Sequence, residues 1–215
     1  MININTKKYW DNRFEQNWEK QNGRLQTQSF AESQMTLLEL SSDFSGTILD
    51  FGCGLGDAMP VYKRSFPKAK LIGVDISSVG IKKCQEQYGD IADFICGSVE
   101  DIPFVDIIIS SNVFEHLTSD EDIANAIIQK TNKLYIIVPY QEMPLMIEHV
   151  NSYSEFSFSE LNVSWFKIFH APGWTESGYR LFKLYVRNLI RLLTGQDMKP
   201  RSRQIMFCLI KGEES

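Results

Sequence analysis

Short apolar runs rich in β-branched residues alternate along this chain with stretches whose apolar positions recur every three or four residues, the pattern of an α/β sheet. The runs Thr47–Phe51, Leu71–Asp75, Asp93–Cys96, Asp106–Ser110 and Leu134–Val138 predict five strands. Several are almost continuous in Ile, Val and Leu, as parallel strands covered on both faces are. Between them the pattern predicts helices over Asp57–Ser65, Ser78–Tyr88 and Asp120–Lys130, each opening at a Ser or Asp able to cap its first turn. After Pro139 the texture changes. Val163–His170 and Gln204–Lys211 read as two more strands, with no crossover helix before the first, which fits an antiparallel pair closing a parallel sheet. Upstream, residues 6–40 carry Tyr9, Trp10, Phe14, Trp18 and Phe30 and predict helices lying over the sheet's edge, with Trp18 and Phe30 read as core packing.

At 215 residues and 43% hydrophobic content, the chain can bury one substantial core, so a single domain over 1–215 is expected. Its parts are helical residues 1–40, a ligand-binding half over 45–140 and a second half over 141–215. The net charge of −5 gives no electrostatic drive toward nucleic acid. The charge is uneven, however. Between Pro172 and Arg203 seven basic residues face only Glu176 and Asp197. Cys53, Cys84, Cys96 and Cys208 form no CxxC pair, which argues against a zinc site or a disulfide framework. No apolar leader or membrane-spanning run is evident, and the expected location is cytoplasmic.

The segment ILDFGCGLGD sets an apolar strand before Gly52, Gly54 and Gly56, with Asp57 at the start of a helical pattern. Alternating glycines allow positive φ and close approach of a ligand to the backbone, and a following helix offers free N–H groups. A glycine turn alone can be purely structural. Here LIGVDIS follows, ending a second strand in Asp75, at the carboxyl edge where open α/β sheets bind ligands. A carboxylate there can accept both hydroxyls of a ribose, or cap the next helix. The dinucleotide fingerprint GxGxxG wants a third glycine where this chain has Asp57, and no GxxxxGK[ST] loop is present, so an adenosine ligand other than a dinucleotide or a triphosphate is favoured.

ILDFGCGLGD, GVDIS, GSVEDIPF and IIISSNVFEHL, in that order over roughly residues 47–140, resemble the cofactor motifs of class I, Rossmann-like S-adenosylmethionine-dependent methyltransferases. The resemblance implies a mostly parallel sheet with an antiparallel last strand and helices on both faces. It also implies S-adenosylmethionine as donor and S-adenosylhomocysteine as product. By the same resemblance Asp50 and Gly52 lie beside the methionine amino group, Gly54 and Gly56 face the cofactor backbone, Asp75 holds the ribose and Ile76 flanks the adenine. Ser98 and Val99 fall where the adenine edge is read, and Ser111 and Asn112 face the methionine end. The N-terminal segment resembles the helical lid of bacterial small-molecule and surface-glycan methyltransferases, which makes Tyr9, Trp10, Arg13 and Gln26 candidates for the methionine carboxylate. The aromatic tetrad of nucleic-acid amino methyltransferases is missing after the fourth strand.

The expected reaction is O-methylation of a surface-glycan sugar or related acidic small molecule, a step of polysaccharide biosynthesis. An N-methyltransferase, a nicotinamide oxidoreductase and a non-catalytic cofactor-binding module remain as alternatives. A hydroxyl acceptor needs its proton removed, and His116 and His149 both follow strands at the carboxyl edge, as base candidates or as structural residues. His170 reads as structural. The pairs Glu115–His116 and Glu148–His149 contain metal-ligand types, but adjacent side chains diverge, and no metal is expected. Arg180, Lys183, Arg187 and Arg191 share one helical stripe, with Leu181, Tyr185, Leu189, Leu192 and Leu193 opposite. That helix either packs on the domain with a solvated basic face, or serves an acidic acceptor or an anionic membrane surface at the inner face through residues 180–193. Self-association is left open.

Overall fold

The computed structural model describes residues 4–16, 18–171, 178–196 and 202–212, with the side chains of residues 178–180 left aside. Seven strands form one sheet: β1 (Thr47–Phe51), β2 (Lys70–Asp75), β3 (Asp93–Cys96), β4 (Val105–Ser111), β5 (Thr131–Pro139), β6 (Val163–His170) and β7 (Arg203–Ile210). Their order is β3-β2-β1-β4-β5-β7-β6. The first five are parallel, and β7 runs antiparallel between β5 and β6. Successive strands are added outward one way from β1 to β3 and the other way from β4 to β5, so the β1/β4 boundary is the switch point at which open sheets leave a crevice.

Side-chain alternation explains the continuous apolar runs. Ile48, Leu71, Ile107, Ile109, Tyr135 and Ile137 point to one face, where they pack with residues of α2 (Gly23–Met35), α3 (Met59–Ser65) and α4 (Ser78–Tyr88). Leu49, Ile72, Val74, Ile108, Leu134 and Ile136 point to the other, against Ala124 and Ile127 of α5 (Asp120–Ile128) and against Tyr153 and Phe158. Helices therefore cover both faces, but the second is completed by the irregular segment 140–162. At the edge, β6 alternates half-buried with exposed positions, as a strand with one covered face does.

Local chemistry sets the helix ends. Ser77 caps α4, its Oγ accepting the Gly80 N–H at 3.0 Å. Asp120, Glu121 and Asp122 place negative charge on the first turn of α5, where the helix dipole favours it. The helix expected from Asp57 begins two residues later, at Met59. Asp57 is instead buried in the loop, accepting the Tyr88 hydroxyl at 2.9 Å and pairing with Arg24 at 3.3 Å. It ties the glycine loop to α4 and α2.

The N-terminal helices α1 (Lys7–Gln16) and α2 lie across the carboxyl edge of the sheet. Asp11 of α1 accepts the Ser77 hydroxyl at 2.7 Å and the Val79 N–H at 3.2 Å, and Lys83 of α4 reaches the Phe14 carbonyl at 2.8 Å. α6 (Gly178–Leu193) lies within the connection between β6 and β7. Packing of its leucine side onto the domain is contradicted. Tyr185, Leu189, Leu192 and Leu193 are exposed together with Phe182, Val186 and Ile190, while Leu181, Leu184, Asn188 and Arg191 form the half-buried stripe. The amphipathic helix turns its broad apolar face outward. Of the other basic positions, Lys199 and Arg201 fall outside the described residues.

Candidate functional site

The carboxyl edge of β1, β2, β4 and β5 and the undersides of α1 and α2 enclose a cavity of about 510 Å³, the scale of a small-molecule site. Its floor is the loop after β1. Gly52 and Cys53 donate to the Val74 carbonyl at 2.8 and 3.0 Å, which docks the loop on the end of β2. Gly52 stands at φ +76° with space for a Cβ taken by Val113, at 2.4 Å. Gly54 stands at φ +57°, partly exposed to the cavity. Both need glycine for their backbone, and both leave it open to a ligand. Gly56, expected to face the cofactor, is buried against Cys84, Phe94 and Tyr88 and does not line the cavity. Its role is to let the loop close on α4.

Asp75 sits at the tip of β2, with one oxygen accepting the Gly54 N–H at 2.9 Å and the other the Ser77 N–H at 2.8 Å. The capping role and the binding role thus coexist: each oxygen has one lone pair spent on the backbone and one left for a ligand hydroxyl. Burial raises its pKa to about 6, against the opposing pull of those two N–H groups. Asp50, one strand over and buried at the cavity floor, is raised to about 7 by burial and then by the negative charge of Asp75. A carboxyl so placed favours a cationic partner.

Ile76 and Gly97 line the same end. Ser98 and Val99 do not. Ser98 is turned to Glu100 and Asp101 in its own short turn, and Val99 packs on the core, so of that stretch only Gly97 borders the cavity. At the end of β4, Ser111 and Asn112 line the cavity as expected, Asn112 at φ +56°. Two partners of theirs had no sequence signal. Gln34 of α2, fully buried, donates to Ser111 at 2.8 Å, and Gln204 of β7 donates to Asn112 at 2.8 Å.

The lid contributes Trp10, Arg13, Phe14, Trp18, Gln26 and Phe30, so Trp18 and Phe30 are cavity walls as well as packing groups. The Gln26 Oε1 is buried without a hydrogen-bond partner among the described residues. Arg13 pairs with Glu148 at 2.9 Å, and Tyr9 donates its hydroxyl to the same carboxylate. Tyr9 is therefore a lid anchor outside the cavity lining.

Opposite the glycine loop, two distant pieces of chain meet. The Val150 N–H donates to the Glu115 carbonyl at 2.7 Å, and the Glu148 carbonyl accepts the Asn5 amide at 2.8 Å and the His116 Nδ1–H at 3.0 Å. These staples bring the His116 and His149 rings to 4.9 Å, edge to face, with Trp10 at 5.1 Å from His116. His149 is held through Nδ1 by the Glu142 carboxylate. Burial pushes His116 down to about 4 and Glu115 up to about 8. One ligand atom each from Glu115, His116 and His149 lies within 4.8 Å of the others. The two Glu–His pairs, which adjacency in sequence gave no reason to join, share one corner of the cavity. Glu142 had no signal in the sequence beyond being an acid after a strand.

Residues 48–133 match the family described as "Methyltransferase domain". A malonyl-[acyl-carrier protein] O-methyltransferase of Anoxybacillus flavithermus is 31% identical over 91 residues, covering 40% of this chain and 35% of that protein. The chain thus spans about a third of the length of the curated relatives it matches. Among solved structures, a putative methyltransferase complex with its Trm112 activator from Haloferax volcanii superposes with a TM-score of 0.69 at 14% identity, covering 98% of this chain and 99% of that one. The plantazolicin methyltransferase BpumL, in complex with SAH, superposes with a TM-score of 0.60 at 16% identity, covering 96% and 95%. Where these proteins' names state an acceptor, it is malonyl-[acyl-carrier protein] or plantazolicin rather than a glycan.

Proposed function

We infer that this chain, a Rossmann-like class I methyltransferase by its fold and by the family match of residues 48–133, transfers a methyl group from S-adenosylmethionine to an oxygen of an acidic acceptor. The observation that carries the donor assignment is the meeting of the Gly52–Gly54 backbone with Asp75 and Asp50 at one end of the cavity. Asp75 has an unspent lone pair on each oxygen for the two ribose hydroxyls. Asp50, raised by burial, is stabilised as a carboxylate by an ammonium group. The orphaned Gln26 Oε1 and the Arg13 guanidinium lie on the lid side, suited to the amino-acid end of the ligand. The bound donor supplies an electrophilic methyl on sulfur, and the protein's part is to align an acceptor with it and exclude water.

Acceptor oxygen is supported by the O-methyltransferase relatives and by the two imidazoles at the far end of the cavity. His116 and His149 each have Nδ1 engaged, which leaves an Nε2 lone pair to receive a hydroxyl. Arg203 on the cavity wall favours an acidic molecule, for which a carboxylated or phosphorylated sugar of a glycan is the proposed class. Ala171 and Ser202, which flank the connection bearing α6, both line the cavity. The outward apolar face of α6, with exposed Lys183 and Arg187, suits an anionic lipid surface on which such an acceptor is assembled. No described helix is long and apolar enough to cross a membrane.

A thermal-shift series tests the donor. A ligand specific for the folded state raises the melting temperature according to its concentration over Kd, so S-adenosylhomocysteine should stabilise the protein and NAD should not. The reverse result would return the chain to the nicotinamide class. Incubation with methyl-labelled donor and a panel of acidic sugars then reads the acceptor class.

A further inference from the structure

The corner formed by Glu115, His116 and His149 has features that neither packing nor a lone base accounts for. Glu115 is 1% exposed, and its Oε2 has no hydrogen-bond partner among the described residues. A carboxyl group buried there with an unpaired oxygen is costly to ionise, and a cation held between it and two imidazoles would offset that cost. Both imidazoles are also set for ligation. A carbonyl can only accept, so the His116 Nδ1 at 3.0 Å from the Glu148 carbonyl carries the proton and Nε2 carries the lone pair. The Glu142 carboxylate fixes His149 in the same tautomer. An outer carboxylate or carbonyl holding the far nitrogen is the arrangement that orients histidine ligands in metal sites.

We propose that Glu115, His116 and His149 bind a divalent transition-metal ion at the acceptor end of the cavity. Two imidazole nitrogens and one carboxylate oxygen make a borderline donor set that suits Zn²⁺ or Mn²⁺, and three protein ligands leave positions open for an acceptor. One nitrogen of each imidazole and one carboxyl oxygen of Glu115 lie within 4.8 Å of one another. Bonds of about 2.0–2.2 Å bring them to roughly 3–3.5 Å apart, a change within the reach of side-chain rotation. Resting on the O-methyltransferase reading, the ion has a defined task. An acceptor hydroxyl bound to it gives up its proton to water, the oxygen forms the new bond to the methyl carbon, the carbon–sulfur bond breaks, and its electron pair stays on sulfur. No free imidazole base is then required.

The test uses the full chain, stripped with a chelator and titrated with Mn²⁺ alone, with free Mn²⁺ followed by its electron paramagnetic resonance signal. One Mn²⁺ per chain is expected, displaced by Zn²⁺ as the usual order of affinities requires. Glu115→Gln and His149→Ala should each weaken binding at least tenfold, and Glu142→Gln, which removes only the outer carboxylate, should weaken it less. Cooperative melting of each variant verifies that it is folded. Absence of uptake by the parent chain at millimolar Mn²⁺, or uptake unchanged in both folded ligand variants, overturns the site. Binding of S-adenosylhomocysteine to the stripped parent chain reads the donor assignment separately: failure there, alongside Mn²⁺ uptake in the titration, sinks the methyltransferase reading and not the metal.

Discussion

The two ends of the cavity are built in opposite ways. At the end proposed for the donor, the cavity presents backbone at Gly52 and Gly54 and one carboxyl group on each of two adjacent parallel strands, Asp50 and Asp75. At the end proposed for the acceptor it presents side chains on irregular segments, Glu115 and His116 after β4 and Glu142 and His149 after β5, held by carbonyl contacts between the two segments. A site made from strand ends and glycines tolerates little change, because the sheet register fixes every position. One made from loops can be re-equipped without disturbing the sheet, which is how a single fold serves many acceptors.

That contrast predicts a split in mutant behaviour. The largest effect is expected from His149→Ala, which should lower kcat about 100- to 10,000-fold while changing the Kd for S-adenosylhomocysteine far less. Steady-state kinetics beside calorimetry reads it, and equal loss in both quantities would mean that the acceptor end props up the donor end. Asp75→Ala should do the opposite. Losing two charge-assisted hydrogen bonds of about 1.5 kcal/mol each weakens cofactor binding about 100-fold, measured by the same calorimetry.

Beyond the cavity, Leu189→Glu with Ile190→Glu on α6 should reduce partition onto anionic vesicles about 10- to 30-fold in a flotation assay, with cofactor Kd unaffected. Equal flotation of the double variant would separate α6 from lipid. The smallest effect is one of pH. Asp50 titrates near 7 in the ligand-free protein, above an unfolded carboxyl. Its contribution to stability is thus present below about pH 4 and lost as pH rises through about 7. An ammonium ligand reverses the preference. Affinity for S-adenosylhomocysteine should therefore rise about tenfold between pH 5.5 and 7.5, and Asp50→Asn should flatten that rise.

Much of the donor end was legible in the chain. Apolar runs of five or six residues, one carrying Asp50 just before its end and one ending in Asp75, with a glycine turn between them, define a strand, a loop and a strand whose register follows from parallel pairing. The chemistry of such a turn is local, so the sequence carries it. Ser98 and Gly56 were misplaced because which side of a turn faces a cavity depends on what packs behind it: Phe94, Cys84 and Tyr88 take the space beside Gly56. The outward face of α6 stayed open in the sequence for a related reason. Amphipathicity shows that a helix has two sides, but only the surroundings decide which one the domain covers.

The sequence by itself determined the alternation of strands and helices, the glycine loop and the acid after the second strand, since each is written in residues next to one another. Tertiary structure alone decided that Glu115 and His116 would meet His149 and Glu142, residues about thirty positions away, and that Gln34 and Gln204 would close on Ser111 and Asn112. Contacts between segments separated by so much chain depend on how two loops pass over a shared sheet edge, and no periodicity or spacing along a chain encodes that path.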